Sequence, residues 1–458
     1  MWLSPLMPLI SRLACHVYYR VTVAGARVPS AGPVLLVANH TNSLIDPPLV
    51  VVAARRNVRF MAKAPLFTHP GIGWLVKAVG SVPVYRQIDD PRLVSQNFDS
   101  FRDVHAAIAA GYAVGIFPEG ISHSRSRLQP LKTGAARIAL GASQKLGRAF
   151  PIVPVGLVFR DRRTFRSAAR LIVGESFDWD DIALLGADNK EAVRVLTRRV
   201  DAAMRAVTLN LHDWADEQLI RCAEQVWRAE FGASTDASDQ LVRLHTATDA
   251  LAQLRLGEDN AWRPVARDLR MHDRLLMRLG LTPQSIAVRV SKGAVLDWIV
   301  GRIPLLLALP LGVLGLALFW IPREVTGRLG ERLARAEGED TVPTYRVLGG
   351  VVIFVTWFLL LAVAAGVAFG ALAGVLTFFV LPGLAFAALA VGESRRASWD
   401  AIRRFVVLRT QRERIVQLRT RQRAIAERLR DLLAGVTHTD ARPSVTEPRS
   451  GLNRRGDR

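Results

Sequence analysis

PVLLVANHTNSLIDPPLVVVAAR, residues Pro33 to Arg55, is the stretch that decides the fold. Its first six residues form an apolar run rich in valine and leucine, the length and composition of a buried strand. The run ends at Asn39-His40, which puts a histidine at a strand's carboxyl end. Asp46-Pro47-Pro48 then has the composition of a helix start, a capping aspartate with proline in the first turn, and LVVVAAR continues it. Strand, polar loop and helix in this order are the repeating step of an α/β protein.

The step recurs on both sides. Val58 to Met61, Val79 to Tyr85, Ala113 to Phe117, Ile152 to Phe159 and Leu171 to Val173 are further short apolar runs, with helical patterns between them at Pro91 to Ala110 and Leu131 to Leu146. This alternation predicts an α/β sandwich over roughly residues 20 to 210.

The rest of the 458 residues leaves room for further domains. A net charge of +21 implies an anionic partner, either nucleic acid or the surface of an acidic bilayer. The apolar runs decide for the membrane. Pro304 to Ile321 carries no charge, and Val347 to Gly392 carries none over a length far beyond what one helix needs to cross a hydrocarbon core of ~30 Å. The long run predicts a helical hairpin, with Gly366, Gly370 and Gly374 either allowing close helix approach or marking its turn, ordinary flexible glycine use being the competing reading. Three crossings would put the two ends of the chain on opposite sides, against the positive-inside preference. Pro304, Pro310 and Pro322 therefore mark the first segment as re-entrant or broken.

The expected layout is an amphipathic helix over 1–20, the α/β domain over 21–210, a helical extension over 211–296 and a transmembrane region over 297–393, with segments near 304–321, 347–367 and 371–391. A basic amphipathic helix over 394–436, with twelve arginines between Arg395 and Arg430, suits anionic lipid headgroups, a solvated or partner-packed helix being the alternative; a disordered tail fills 437–458. Leu6, Leu9, Ile10, Leu13 and Val17 recur at helical spacing, which fits a helix on a bilayer or one packed on the domain. Arg12 interrupts the run, against a signal peptide. Two cysteines, Cys15 and Cys222, make neither a disulfide framework nor a zinc pair.

His40 is the candidate base. An unperturbed imidazole titrates near ~6.5 and can take a proton from a hydroxyl at neutral pH, while a carboxylate beside it fixes the tautomer and steadies the imidazolium. Asp46 is the candidate carboxylate, provided Thr41 to Ile45 folds back; acting as a helix cap is its competing role. Arg86 follows a predicted strand and suits a phosphate or a surface ion pair. Phe117-Pro118-Glu119-Gly120 follows another, with Arg125, Arg127 and Lys132 beyond it, so that turn amides and cations together suit an anionic substrate. Glu119 either binds a hydroxyl or braces the turn. No G-x-S-x-G elbow, P-loop, dinucleotide fingerprint, H-E-x-x-H or cysteine pair is present, which leaves direct attack by a substrate hydroxyl as the economical chemistry.

Four blocks in order, NHTNSLIDP, KAPLFTHPGIGWLVKAVGSVPVYR, FPEGISHSRSRLQPLKTGAARIAL and IVPVGL, resemble the motifs of the glycerolipid acyltransferase superfamily. The resemblance implies an α/β fold with a central mixed sheet flanked by helices, followed here by the helical extension and the C-terminal transmembrane region. It implies His40 as general base and Asp46 as its partner. Arg86, Glu119 and Gly120, with Arg125 and Lys132 nearby, would bind the acceptor and its phosphate, and Pro154 would lie near the acyl pocket. No metal or bound cofactor is implied; acyl-CoA or acyl carrier protein would bring the fatty acyl thioester. Five residues separate His40 from Asp46 where four are commonest, and Ile121-Ser122 stands in place of the usual Thr-Arg pair. Both features are similar to the fungal-type glycerol-3-phosphate and dihydroxyacetone-phosphate subgroup.

The expected function is therefore that of an integral membrane O-acyltransferase of phospholipid synthesis with a cytoplasmic catalytic domain. Its partners would be a glycerol phosphate or lysophospholipid acceptor, the thioester donor and anionic membrane lipids, with no nucleic acid. A lysophosphatidate acceptor is the alternative within the class, and a membrane-anchored lipid-binding scaffold the alternative outside it. A transporter ranks last because neither long apolar run holds an ionisable residue.

Overall fold

The computed structural model describes residues 3–69, 72–85, 92, 97–123, 125, 127–211, 214–234, 236–256, 260–287, 300, 303–335 and 338–440. At its centre lies a seven-stranded mixed sheet of β1 (Arg20–Gly25), β2 (Val34–Ala38), β3 (Val58–Lys63), β4 (Val82–Val84), β5 (Ala113–Ile116), β6 (Ile152–Phe159) and β7 (Ala168–Val173), in the order β1-β7-β6-β2-β5-β3-β4. All neighbours run parallel except β6 and β7. The expected fold class is borne out. β1 is the one strand not anticipated: it sits at the sheet edge with no buried residue, so it lacks the continuous apolar run that marks the others.

β2 shows why an unbroken apolar run is needed at the centre. Leu35 and Val37 point into a core shared with the helices Asn97–Ala109, Gly134–Leu146 and Lys190–Val207. Val34, Leu36 and Ala38 point the other way, into a core shared with α1 (Met7–Tyr18) and α2 (Asp46–Ala54). Side chains alternate across a strand, so covering both faces demands apolar residues at every position. Each buried Leu or Val is worth about 1.5–3 kcal/mol, which anchors the loop that follows β2. α1 is itself two-faced: Ser11, Cys15 and Tyr18 are buried on the domain, while Leu6, Leu9, Ile10 and Leu13 remain exposed.

Among the described residues, two helices are long and apolar enough to cross a membrane, Val342–Phe369 and Ala371–Thr410. Gly370 makes the turn between them at φ +95°, a conformation that L side chains rarely adopt. Gly366 and Gly374 let the two backbones meet, since a Cβ on Gly374 would lie 2.8 Å from the Ala362 carbonyl oxygen and 3.1 Å from Gly366 Cα. Close approach and the turn are thus both found at these glycines, instead of ordinary flexible use. The first apolar segment is broken: the helix Ile303–Leu318 ends at Phe319, and Leu307–Leu318 and Trp320–Ala334 bend by 51° across that break. Gly312 and Gly315 seat it against Val391, Leu384 and Ala388.

These elements, the second long helix as far as Ile402, belong to one compact unit, Met1–Trp214 with Thr235–Val242 and Val290–Ile402. A second unit gathers Ala215–Ser234, Arg243–Arg289 and Arg403–Arg458. In it, Leu219, Cys222, Val226, Val265 and Leu269 of the helical extension share a core with Ile425 and Ala426, and Arg255 pairs with the buried Asp216. This amends the expectation for the basic segment. Residues 394–410 continue the second long helix, a new helix runs Arg412–Asp440, and its stripe of Leu418, Ile425, Leu429 and Leu432 is packed on protein instead of lying open to lipid. An apolar stripe alone does not say which apolar surface covers it. Of the expected disordered tail, residues 437–440 are helical and the remainder lies outside the described residues.

Candidate active site

Three adjacent parallel strands deliver the site. β6, β2 and β5 run side by side in the same direction, so the loops that leave their carboxyl ends emerge on one edge of the sheet. His40 leaves β2, Glu119 leaves β5 and Arg162 leaves β6. Asn39 holds the first of these exits by pairing its side-chain amide with the backbone of Leu157, at 3.1 and 2.7 Å.

His40 and Asp46 meet. His40 Nδ1 lies 2.9 Å from Asp46 Oδ2, and the same oxygen accepts the backbone N–H groups of Thr41 at 2.8 Å and Asn42 at 2.7 Å. The intervening five residues fold back through a single helical turn, Ser43–Ile45, entered at Ser43 with φ +47°. A left-handed serine costs roughly 1–2 kcal/mol for a side chain in that region. Asp46 stands in the first turn of α2, but its carboxylate accepts from amides upstream and not from the helix, so it is not a cap. The carboxylate is fully buried, and burial pushes its pKa above the ordinary value against the pull of the His40 hydrogen bond. Three donors and the positive end of α2 offset the cost of burying the charge.

The imidazole is oriented from three sides. Nδ1–H donates to Asp46, so Nε2 is the nitrogen left with a lone pair. Phe117 lies against the ring face, centroids 4.1 Å apart and 15° from parallel. The His40 backbone N–H donates to Glu119 Oε1 at 2.8 Å. The ring keeps 20% of its side-chain surface exposed, while Asp46 behind it has none. Base outward and carboxylate inward is the arrangement that abstracts a proton from a ligand at the sheet edge.

Glu119 is buried and both its oxygens are occupied by the protein. Oε2 accepts from His123 Nε2 and from the Gln129 N–H at 2.7 Å, and His123 Nδ1 in turn accepts the Arg125 N–H at 3.1 Å. The carboxylate therefore ties the His40 loop to the loop over residues 123–129. Of the two roles open to it from sequence, the geometry matches the brace. The Gly120 amide closes the turn on the Phe117 carbonyl at 3.1 Å, and its φ of +75° explains glycine there; the Lys132 stem packs over it. Arg125 reaches Gln129 Oε1 at 2.5 Å, and Arg125 and Lys132 are exposed on this side. Pro154 lies in β6 opposite Val37 of β2. Arg86 lies outside the described residues.

Four participants were not foreseen. His123 completes the Glu119 brace; its place four residues after Glu119 in the same block was the available signal. Arg162 donates to the Thr41 carbonyl at 3.0 Å and the His123 carbonyl at 3.3 Å, stitching the two loops. Tyr19 accepts from the Asn42 side chain at 2.6 Å and donates to the Arg162 carbonyl at 2.5 Å. Asp340 accepts from the Ser122 hydroxyl at 2.6 Å. Nothing in the sequence connects the last three to the motif blocks. Cys15 lies buried behind this assembly and burial pushes its thiol far up, so it stays protonated and is not a nucleophile.

Residues 20–158 match the family model described as Acyltransferase. An uncharacterised acyltransferase of Schizosaccharomyces pombe is 22% identical over 446 residues, covering 74% of this chain and 65% of the relative. Glycerol-3-phosphate O-acyltransferase 2 of Saccharomyces cerevisiae is 33% identical over 135 residues, 29% of this chain and 18% of the relative. A chloroplastic 1-acyl-sn-glycerol-3-phosphate acyltransferase of Brassica napus is 30% identical over 152 residues, 33% of this chain and 40% of the relative. The chain thus spans less than two thirds of the length of each of these relatives. The resemblance of the four blocks to the glycerolipid acyltransferase superfamily, fungal-type enzymes included, is borne out by these matches.

Proposed function

We propose that this chain is a membrane-bound O-acyltransferase of glycerolipid synthesis, moving a fatty acyl group from a thioester of coenzyme A or acyl carrier protein to a hydroxyl of glycerol-3-phosphate or a close relative. The acceptor hydroxyl gives its proton to His40 Nε2 as its oxygen attacks the thioester carbonyl carbon. The C–S bond of the resulting adduct breaks, and the thiolate leaves with a proton returned from the imidazolium. Asp46 holds the tautomer that leaves Nε2 basic and stabilises the imidazolium while it exists. Arg125 and Lys132, beside the Gly120 turn, supply positive charge for the acceptor phosphate, and Arg86 is assigned to the same task. The observation that carries the reading is the 2.9 Å contact of His40 Nδ1 with a fully buried carboxylate at the edge of the acyltransferase domain.

The two long apolar helices, read as a pair of crossings, return the chain to its starting side, so the acyltransferase domain and the arginines after the second crossing share one face. The positive-inside preference assigns that face to the cytoplasm, where acyl thioesters are. The exposed leucines of α1 and the exposed arginines of the Arg412–Asp440 helix suit an anionic lipid surface. A lysophosphatidate acceptor is the second reading, favoured by the match to the Brassica napus protein.

The test uses the full chain in lipid nanodiscs with palmitoyl-CoA and a panel of glycerol-3-phosphate, dihydroxyacetone phosphate, 1-acylglycerol-3-phosphate and other lysophospholipids, following free thiol. Thiol release that depends on one acceptor and is abolished in His40→Ala supports the proposal and identifies the acceptor. Equal, slow release from wild type and His40→Ala on every acceptor would leave a lipid-binding scaffold.

A further inference from the structure

The loop that carries the His40–Asp46 pair is held from outside the acyltransferase domain. Ser43, the left-handed residue of that loop, donates its N–H to Ser122 Oγ at 3.1 Å. Ser122 in turn donates its hydroxyl proton to Asp340 Oδ2 at 2.6 Å. Asp340 lies 218 residues further along the chain, in the short turn Glu339–Thr341 that leads into the first crossing helix, well beyond the matched residues 20–158.

The turn is built to present that carboxylate. Gly338 has φ +123°, and a Cβ there would sit 2.9 Å from Asp340 Oδ1, so both conformation and space require glycine. Thr341 closes the turn on the Gly338 carbonyl with its N–H at 3.2 Å and its hydroxyl at 2.8 Å. Thr341, Val342 and Thr344 are buried, and Val347 packs on the core that also contains Ile45 and Leu49. The amino end of the crossing helix is thus seated against the catalytic loop within one compact unit.

We propose that Asp340 is a positioning residue for the acyl transfer proposed above, on which this inference rests. A serine hydroxyl has one proton and two lone pairs. With its proton committed to Asp340, Ser122 must present a lone pair to the Ser43 N–H. Asp340 thereby fixes where the Ser122 oxygen points; without it the side chain can rotate away from the Ser43 N–H, and the left-handed backbone at that residue loses one of the bonds that hold its loop. The segment leading into the first long apolar helix therefore helps to hold the loop geometry that brings Asp46 to His40.

The test compares Asp340→Ala, Asp340→Asn and Ser122→Ala with wild type and His40→Ala, in nanodiscs with palmitoyl-CoA and the acceptor found active. Asp340→Ala is expected to lower kcat by roughly 3- to 10-fold, the worth of one hydrogen bond, with KM for both substrates within twofold. Asp340→Asn keeps a carbonyl acceptor and is expected to restore most of the rate, which loss of general folding would not allow. Ser122→Ala should match Asp340→Ala, and the double variant should be no worse than either alone. Amide hydrogen exchange over Thr41 to Ile45 should accelerate in Asp340→Ala and not in Asp340→Asn; it reads the loop without reading turnover.

An active wild type, with Asp340→Ala equally active and equally protected, overturns the inference and leaves the proposed function standing. Additive losses in the double variant, or an Asn variant as poor as Ala, also overturn it. A wild type inactive on every acceptor overturns the function and this inference together. Should Asp340→Ala fail to reach the membrane, Ser122→Ala carries the same comparison.

Discussion

Asp46→Asn isolates the charge behind His40 from the geometry of the loop. The amide oxygen occupies the place of Oδ2 and can still accept from His40 Nδ1–H, Thr41 N–H and Asn42 N–H, so the fold-back survives. In the proposed reaction, what is lost is the negative charge that would steady the imidazolium once Nε2 has taken the acceptor's proton. Two unit charges about 4 Å apart, at an effective dielectric constant near 20, interact by about 4 kcal/mol. At about 1.4 kcal/mol per decade this is close to a thousandfold, and partial solvation of the exposed ring edge reduces it. We expect kcat to fall by roughly 10²- to 10³-fold with KM changed less than threefold, since an interaction made only in the transition state leaves ground-state binding alone. The assay is free-thiol release in nanodiscs at pH 8, with circular dichroism to verify the fold. A correctly folded Asp46→Asn within threefold of wild type would refute the assignment of Asp46 as the partner of a general base.

The same variant tests the consequence of burial. Because burial raises the Asp46 pKa, the folded state holds its proton more tightly than the unfolded chain. The resulting stabilisation is complete below the ordinary carboxylate pKa of about 3.8 and is lost as pH rises through the elevated native value. Asp46→Asn cannot ionise, so its Tm relative to wild type should rise between pH 4 and pH 8; a fall would contradict the direction of the shift. Glu119→Ala removes the acceptor of two backbone N–H groups and of His123, and is expected to cost about 3 kcal/mol or more of stability as well as nearly all activity, checked by urea titration of tryptophan fluorescence. Glu119→Ala as stable as wild type would mean that the carboxylate is not the brace. Gly374→Leu drives a side chain into the Ala362 carbonyl and Gly366, and should splay the hairpin; cysteine cross-linking between the two long apolar helices, efficient in a wild-type background, should fail in the variant.

The sequence exposed as much of the fold as periodicity can carry. β2, β5 and β6 are buried on both faces, so their apolar runs stand out, and the turn residues that end them marked where His40 and Glu119 leave the sheet. β1 escaped notice because an edge strand only half covered, with Val21 and Val23 packed on the core and Arg20 and Thr22 turned away from it, needs no such run. The basic stretch after residue 394 was legible as amphipathic helix, but periodicity names a face and not its partner, and the structure places the helical extension there.

By itself the sequence determined the α/β class, the apolar pair of helices, and the presence of a histidine and a carboxylate six positions apart, because those follow from composition and spacing within one local stretch. Only the tertiary structure decided that Ser43 turns left-handed so that the pair can meet, that Glu119 spends both oxygens on the frame, and that Arg162 and Asp340 arrive from distant chain to hold the loops. The reason is the range of the interactions. Hydrophobic patterning is written in neighbouring residues, whereas a hydrogen bond spanning 218 residues exists only once the sheet has aligned its strand ends and the helix has taken its seat.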